Sequence, residues 1–132
     1  MGPQTCKDRV KKTFKIELPP GMPLLNANGR EHWSKRAGLV SAIRMTARNL
    51  SSDIPRLEKV KIRAIYYAPN NRRRDMSNLF PSVKSAVDGL VDAGVLKDDS
   101  DRYVVSLEML RGEGVVTGGQ LIIEVIDVGD SV

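Results

Sequence analysis

The chain is 132 residues long, 41% apolar and only 5% aromatic, so it reads as one domain whose core must be aliphatic. Its 21 lysines and arginines all precede Gly112, with 12 of its 16 acids, so residues 1–111 carry +9 and residues 112–132 carry −4; a basic body of that kind predicts a polyanionic partner, nucleic acid above all. A single cysteine, Cys6, excludes an internal disulfide, and no apolar run nears the roughly 18 residues of a membrane helix, so a cytoplasmic protein with no membrane partner is the expectation.

Along the chain, residues 1–12 read as a flexible polar arm, residues 13–128 as the domain and residues 129–132 as a tail. Residues 13–18 alternate apolar and polar side chains, the period of a half-buried strand, and Pro19-Pro20-Gly21-Met22-Pro23 ends it. A polar loop over 26–32, with Arg30 and His32, either presents side chains to a ligand or simply connects. Apolar residues at 33, 37, 40, 43, 47 and 50 predict one face of a helix over 33–50. Arg36, Arg44 and Arg48 fall elsewhere on its surface, where they track phosphates or form the solvated face. Residues 51–55 break this helix.

Residues 60–67 predict a second strand, with Val60, Ile62, Ala64 and Tyr66 on one face. Pro69-Asn70-Asn71 ends it and delivers Arg72-Arg73-Arg74 straight into Asp75. The next helix has Asp75, Ser77 or Asn78 as its cap and Pro81 in its first turn. Leu79, Val83, Val87, Leu90 and Val91 form its buried stripe, and Gly94 stops it. A third strand is expected over 103–110, with Tyr103, Val105, Leu107 and Met109 on one side. A fourth follows over 121–128, and the glycine-rich turn between them predicts a hairpin. The order β-α-β-α-β-β is that of an α+β domain with a mixed or largely antiparallel sheet and two helices.

The chemistry concentrates at Arg72-Arg73-Arg74-Asp75 and at Lys97-Asp98-Asp99-Ser100-Asp101. Arginines grip an anionic backbone, and carboxylates suit a hard divalent ion such as Mg2+ or Mn2+. One histidine and one cysteine far apart make no tetrahedral zinc set. If the loop after Gly94 folds back, Asp75, Asp98 and Asp99 meet, and an ion held there activates water against a phosphodiester while Lys84 steadies the developing charge. Taken alone, without the arginines upstream, the acids at 98–101 read first as an exposed turn.

At these residues the chain resembles the RusA family of Holliday-junction resolvases. Arg73-Arg74-Asp75-Met76-Ser77-Asn78-Leu79 is similar to that family's R-R-D-x-D-N-L, and Lys84-Ser85-Ala86-Val87-Asp88-Gly89-Leu90 resembles its K-x-x-x-D-(A/G)-L. Leu96-Lys97-Asp98-Asp99 resembles its closing D-D, and Asn26, Arg30 and His32-Trp33 resemble the P-x-x-N…R-x-H pattern of some members. The resemblance implies a homodimeric, Mg2+-dependent endonuclease, bacterial or phage-borne, that nicks four-way DNA junctions symmetrically and needs no small-molecule cofactor. Carried over by position, it makes Asp75 and Asp99 metal-binding catalytic carboxylates, Asp98 a further ligand and Lys84 the catalytic lysine. Arg72, Arg73, Arg74, Arg30, His32, Arg36 and Arg44 are the expected DNA contacts. Ser77 stands where the family has its second acid, and Phe80-Pro81-Ser82 lengthens the spacing between the motifs. One carboxylate fewer implies the alternative, a junction-binding relative that cuts weakly or not at all.

Overall fold

The computed structural model describes residues 12–25 and 32–129; most of the arm, the loop 26–31 with Arg30, and residues 130–132 of the tail lie outside them. The elements run β1 (Thr13–Glu17), α1 (Trp33–Leu50), β2 (Val60–Tyr67), a 3-10 turn (Met76–Leu79), α2 (Phe80–Asp92), β3 (Val104–Arg111) and β4 (Gln120–Asp127). This is an α+β domain with a four-stranded mixed sheet in the order β1-β4-β2-β3. β4 is antiparallel to both β1 and β2, and β2 is parallel to β3.

The expected hairpin does not form. β3 and β4 flank β2 on opposite sides, and the glycine-rich segment crosses the end of β2 to join them. Gly112 donates its N–H to the Tyr66 carbonyl and Val116 to that of Ala68, which hold the crossing in place. Gly112 lies flat on the Tyr67 ring, so close that any Cβ would collide with it. The pairing that local turn residues favour therefore loses to a parallel β2-α2-β3 unit, whose crossover helix buries far more apolar surface.

Alternation decides which face of each strand is buried. Ile16, Val60, Ile62, Ala64, Leu121, Ile123 and Val125 all point to the helix-covered side and are buried. On the opposite face Lys15, Glu124, Arg63 and Glu108 stand side by side across all four strands. Their contacts, 3.9, 3.6 and 3.4 Å, form an alternating charge row, the cross-strand pairing that favours this register. β3 departs from its expected face. A register irregularity against Val60 and Lys61 leaves Val105 unpaired and 43% exposed. Val104, not Val105, then packs on the core with Met109 and Tyr103.

The two helices pack on each other over the sheet. α1 buries only Ile43 and Ala47 fully, with Leu39 and Val40 packed alongside. The ends of its expected stripe are outside the core, Trp33 at 75% exposure and Leu50 at 44%. α2 buries Val83, Val87 and Leu90 of its expected stripe and Ala86 besides, with Leu79 and Val91 half-buried. Gly89 is where the helices meet, since a Cβ there would strike the Arg44 carbonyl oxygen and come within 2.8 Å of the Ala47 methyl. Arg44 closes the contact with a forked pair to Asp92 at 2.5 and 2.9 Å. α2 ends in a Schellman motif: Gly94, at φ +84°, donates to Val91 and Val95 donates to Leu90, both at 3.0 Å. No described helix is long and apolar enough to cross a membrane.

Candidate active site

β2 and β3 run parallel, so their carboxyl ends lie together, the place where parallel βαβ units expose their loops to ligands. The arginine run leaves from β2 there. Arg111, the last residue of β3, fixes it: its guanidinium donates to the carbonyl oxygens of Asn70 and Arg72, both at 2.7 Å. Asn70 helps from within, accepting from the Arg72 N–H at 3.1 Å and the Arg74 guanidinium at 3.2 Å. Arg72, Arg73 and Arg74 are exposed on this braced loop. Sequence reasoning missed Arg111, because no local motif marks it; a cation at the end of the neighbouring strand was its only signal.

Asp75 is the cap of the 3-10 turn. Its Oδ1 accepts from the Ser77 N–H at 3.0 Å and from the Ser77 hydroxyl at 2.7 Å. Those two bonds from Ser77 hold the carboxyl below the ordinary 3.8. Ser77 thus orients the Asp75 carboxylate through its N–H and its hydroxyl. No described group bonds the other oxygen of Asp75.

The segment Phe80-Pro81-Ser82 has a structural role. It is the first turn of α2, with Pro81 where its missing N–H costs nothing. Ser82 is buried, and its hydroxyl accepts from the Leu25 N–H at 2.7 Å and donates to the Leu25 carbonyl at 3.1 Å. The proline-rich segment is thereby pinned to the start of α2.

Lys84 lies on the exposed flank of α2 and bridges Asp88 at 2.7 Å and Asp99 at 2.6 Å. Hydrogen bonds to Asp88 and then Asp99 raise the lysine above 10.5, and the bond to Lys84 lowers Asp99 below 3.8. The ammonium and the carboxylate are therefore both charged at neutral pH. The loop after Gly94 does turn back, as the expectation required. Val95 and Leu96 bury themselves, and the Val95 carbonyl accepts from the Leu57 N–H at 2.8 Å. Asp98 caps the turn through a 2.7 Å bond from the Ser100 N–H, and that bond lowers its carboxyl.

The expected set thus falls into two groups, Arg72–Arg74 with Asp75 just before α2, and Lys84 bridging Asp88 and Asp99 on its flank, with Asp98 capping the adjoining turn. No described side chain joins them, and no cluster of three or more acidic, histidine or cysteine side chains is assembled among the described residues. Of the other expected DNA contacts, Arg44 has its fork committed to Asp92. His32 caps α1, its Nδ1 accepting from the Ser34 N–H at 3.2 Å, with its ring against Trp33 at 5.5 Å between centroids. Arg36 is half-buried in the first turn of α1. Arg30 lies outside the described residues.

A cleft of about 530 Å³ adjoins Asp75. Met22, Leu24, Tyr66, Met76 and Leu79 line its walls, and Arg73, Arg74 and Asp75 stand at its polar side. Compared with known proteins, the chain matches no family model and no curated protein sequence.

Proposed function

We propose that the chain is a Mg2+- or Mn2+-dependent endonuclease of branched DNA, a resolvase of the RusA kind. The observation that carries the reading is the 2.6 Å contact between Lys84 and Asp99, two sequence-distant residues to which the resemblance gives roles in one reaction. The braced arginine loop supports it, since it presents three cations at the open end of a parallel βαβ unit.

The carboxylates suit a hard ion by chemistry, though not as a ready-made cage. Mg2+ is ordinarily held by one or two carboxylates, completed by water and substrate phosphates. Asp75 on one side and Asp98 or Asp99 on the other would supply such oxygens. When bound, the ion supplies Lewis acidity to the phosphoryl group. Arg72, Arg73 and Arg74 seat the strand by its phosphates. Asp75, oriented by Ser77, faces the same strand. Lys84, held protonated by Asp88 and Asp99, would set its positive charge against the negative charge that develops on the leaving oxygen. A homodimer would set two such sites on a two-fold junction, which paired symmetric nicks require.

A second reading is a junction-binding protein that does not cut. Ser77 in place of an acid, together with the lack of an assembled cluster of three acids among the described residues, favours it. The test is incubation with a synthetic four-way junction and Mg2+ or Mn2+. The nuclease reading expects paired nicks by the wild type and none by Asp75→Asn. The binding reading expects a retained, uncut junction and cleavage gained by Ser77→Asp. Equal inertness of wild type and Asp75→Asn, with no junction retained, defeats both.

A further inference from the structure

Resting on that reading, we propose that the cleft beside Asp75 receives one unstacked nucleobase of the bound strand, next to the phosphate the arginine loop holds. Its volume, about 530 Å³, falls in the range of roughly 300–1,000 Å³ usual for small-molecule pockets. Its walls combine what a base needs. Met22, Leu24, Met76 and Leu79 are half-buried apolar side chains that accept a flat π face. Arg73 and Arg74 add a cationic rim to the same lining, the charge that phosphates flanking an extruded nucleotide would meet. An apolar peptide or lipid chain would find no use for that cationic rim.

The cleft is built in advance. Gly21 donates its N–H to the Gly119 carbonyl at 2.8 Å. A Cβ on Gly118 would come within 2.8 Å of Gly21 Cα, so the proline-rich turn and the glycine-rich crossing meet backbone to backbone. Side chains there would push the wall apart. Tyr66 supplies a polar group on the wall. Its ring lines the cleft, and no described residue bonds its hydroxyl. A hydroxyl both donates and accepts, so it reads the hydrogen-bonding edge of a base. The extrusion is least costly where pairing is already broken, as at the crossover of a branched duplex. The cleft therefore gives this site its selectivity for branch points and its preference among bases.

The experiment is a scan of four-way junctions carrying 2-aminopurine at single positions around the crossover, mixed with protein in the absence of divalent metal. Junction binding is measured in parallel by anisotropy, and folding of each variant by thermal melting. A several-fold fluorescence rise is expected at one position per arm pair. Leu24→Phe, which narrows the cleft without adding a quencher, should abolish the rise and weaken binding about tenfold, the worth of one stacked base. Tyr66→Phe should keep the rise but flatten a roughly fivefold spread in affinity among the four bases at that position. Tight binding with no rise at any position, or a full rise in folded Leu24→Phe, overturns the inference and leaves the nuclease reading standing. Absence of junction binding by the wild type overturns both.

Discussion

Three side chains define the chemistry at the scale of single residues, and each has been given its state by a neighbour. Ser77 fixes the rotamer of Asp75, Lys84 is held charged by two acids, and Arg111 holds the loop that carries three other arginines. The Lys84–Asp99 pair makes a pH prediction with a definite sign. The lysine is raised, so its contribution to stability is full below 10.5 and is lost as pH climbs through the raised value. The acid is lowered, so its contribution is full above 3.8 and is lost as pH falls through the lowered value. Lys84→Met should therefore lower the melting temperature by a constant small amount between those limits. The cost is about 0.2–1 kcal/mol, because both groups are largely exposed, and it should vanish at either extreme. Thermal melts across pH check it. Ser82→Ala acts differently. It leaves the buried Leu25 N–H without a partner and should cost about 1–3 kcal/mol at every pH, measured by denaturant unfolding.

Helix and strand signals were legible where burial is one-sided. β2 could be read end to end because it alternates without interruption, and α2 because its stripe, proline and terminal glycine agree. The stripe of α1 reads too wide: Trp33 and Leu50 continue the period but lie beyond the region α2 covers. The choice of neighbour for β3 was not legible. Eight residues rich in glycine suit a hairpin as well as a crossing, and only the long-range burial of α2 decides between them. The unpaired Val105 was equally hidden, because a register irregularity leaves no periodic trace. The helix pair offers the sharpest test at this scale. Gly89→Ala drives a methyl into the backbone of α1 and should destabilise by about 1–3 kcal/mol, read by chemical denaturation. An exposed helical glycine would show the opposite sign, since alanine favours helix by about 1 kcal/mol.

Over the whole molecule, charge is sorted by face. No described acid of the C-terminal segment forms an ion pair with Arg72, Arg73 or Arg74. Glu124 is spent on Lys15 and Arg63 across the open face of the sheet. The cations at the carboxyl end of β2 stay exposed, which a polyanion-binding surface requires. Junction affinity should fall steeply with salt, and replacing Arg72, Arg73 and Arg74 by glutamine should reduce the slope of log K against log salt by about two to three. An unchanged slope would place the DNA elsewhere. The candidate site was legible as a list of residues but not as an arrangement. Motif spacing named Lys84 and Asp99, and the turn after Gly94 brings them together. The same motifs named Asp75, which caps the 3-10 turn before α2 and bonds Ser77 rather than Lys84.

A single ion shared by Asp75 and the acids after Gly94 is what the account most needs tested. The direct measurement is anomalous scattering from a crystal of the protein with a four-way junction and Mn2+. The account predicts an ion with Asp75 and at least one of Asp98 and Asp99 among its ligands, each at about 2.0–2.2 Å, and a phosphate oxygen completing the shell. A junction bound in place with no ion at Asp75, or an ion held without any of these three carboxylates, would contradict it.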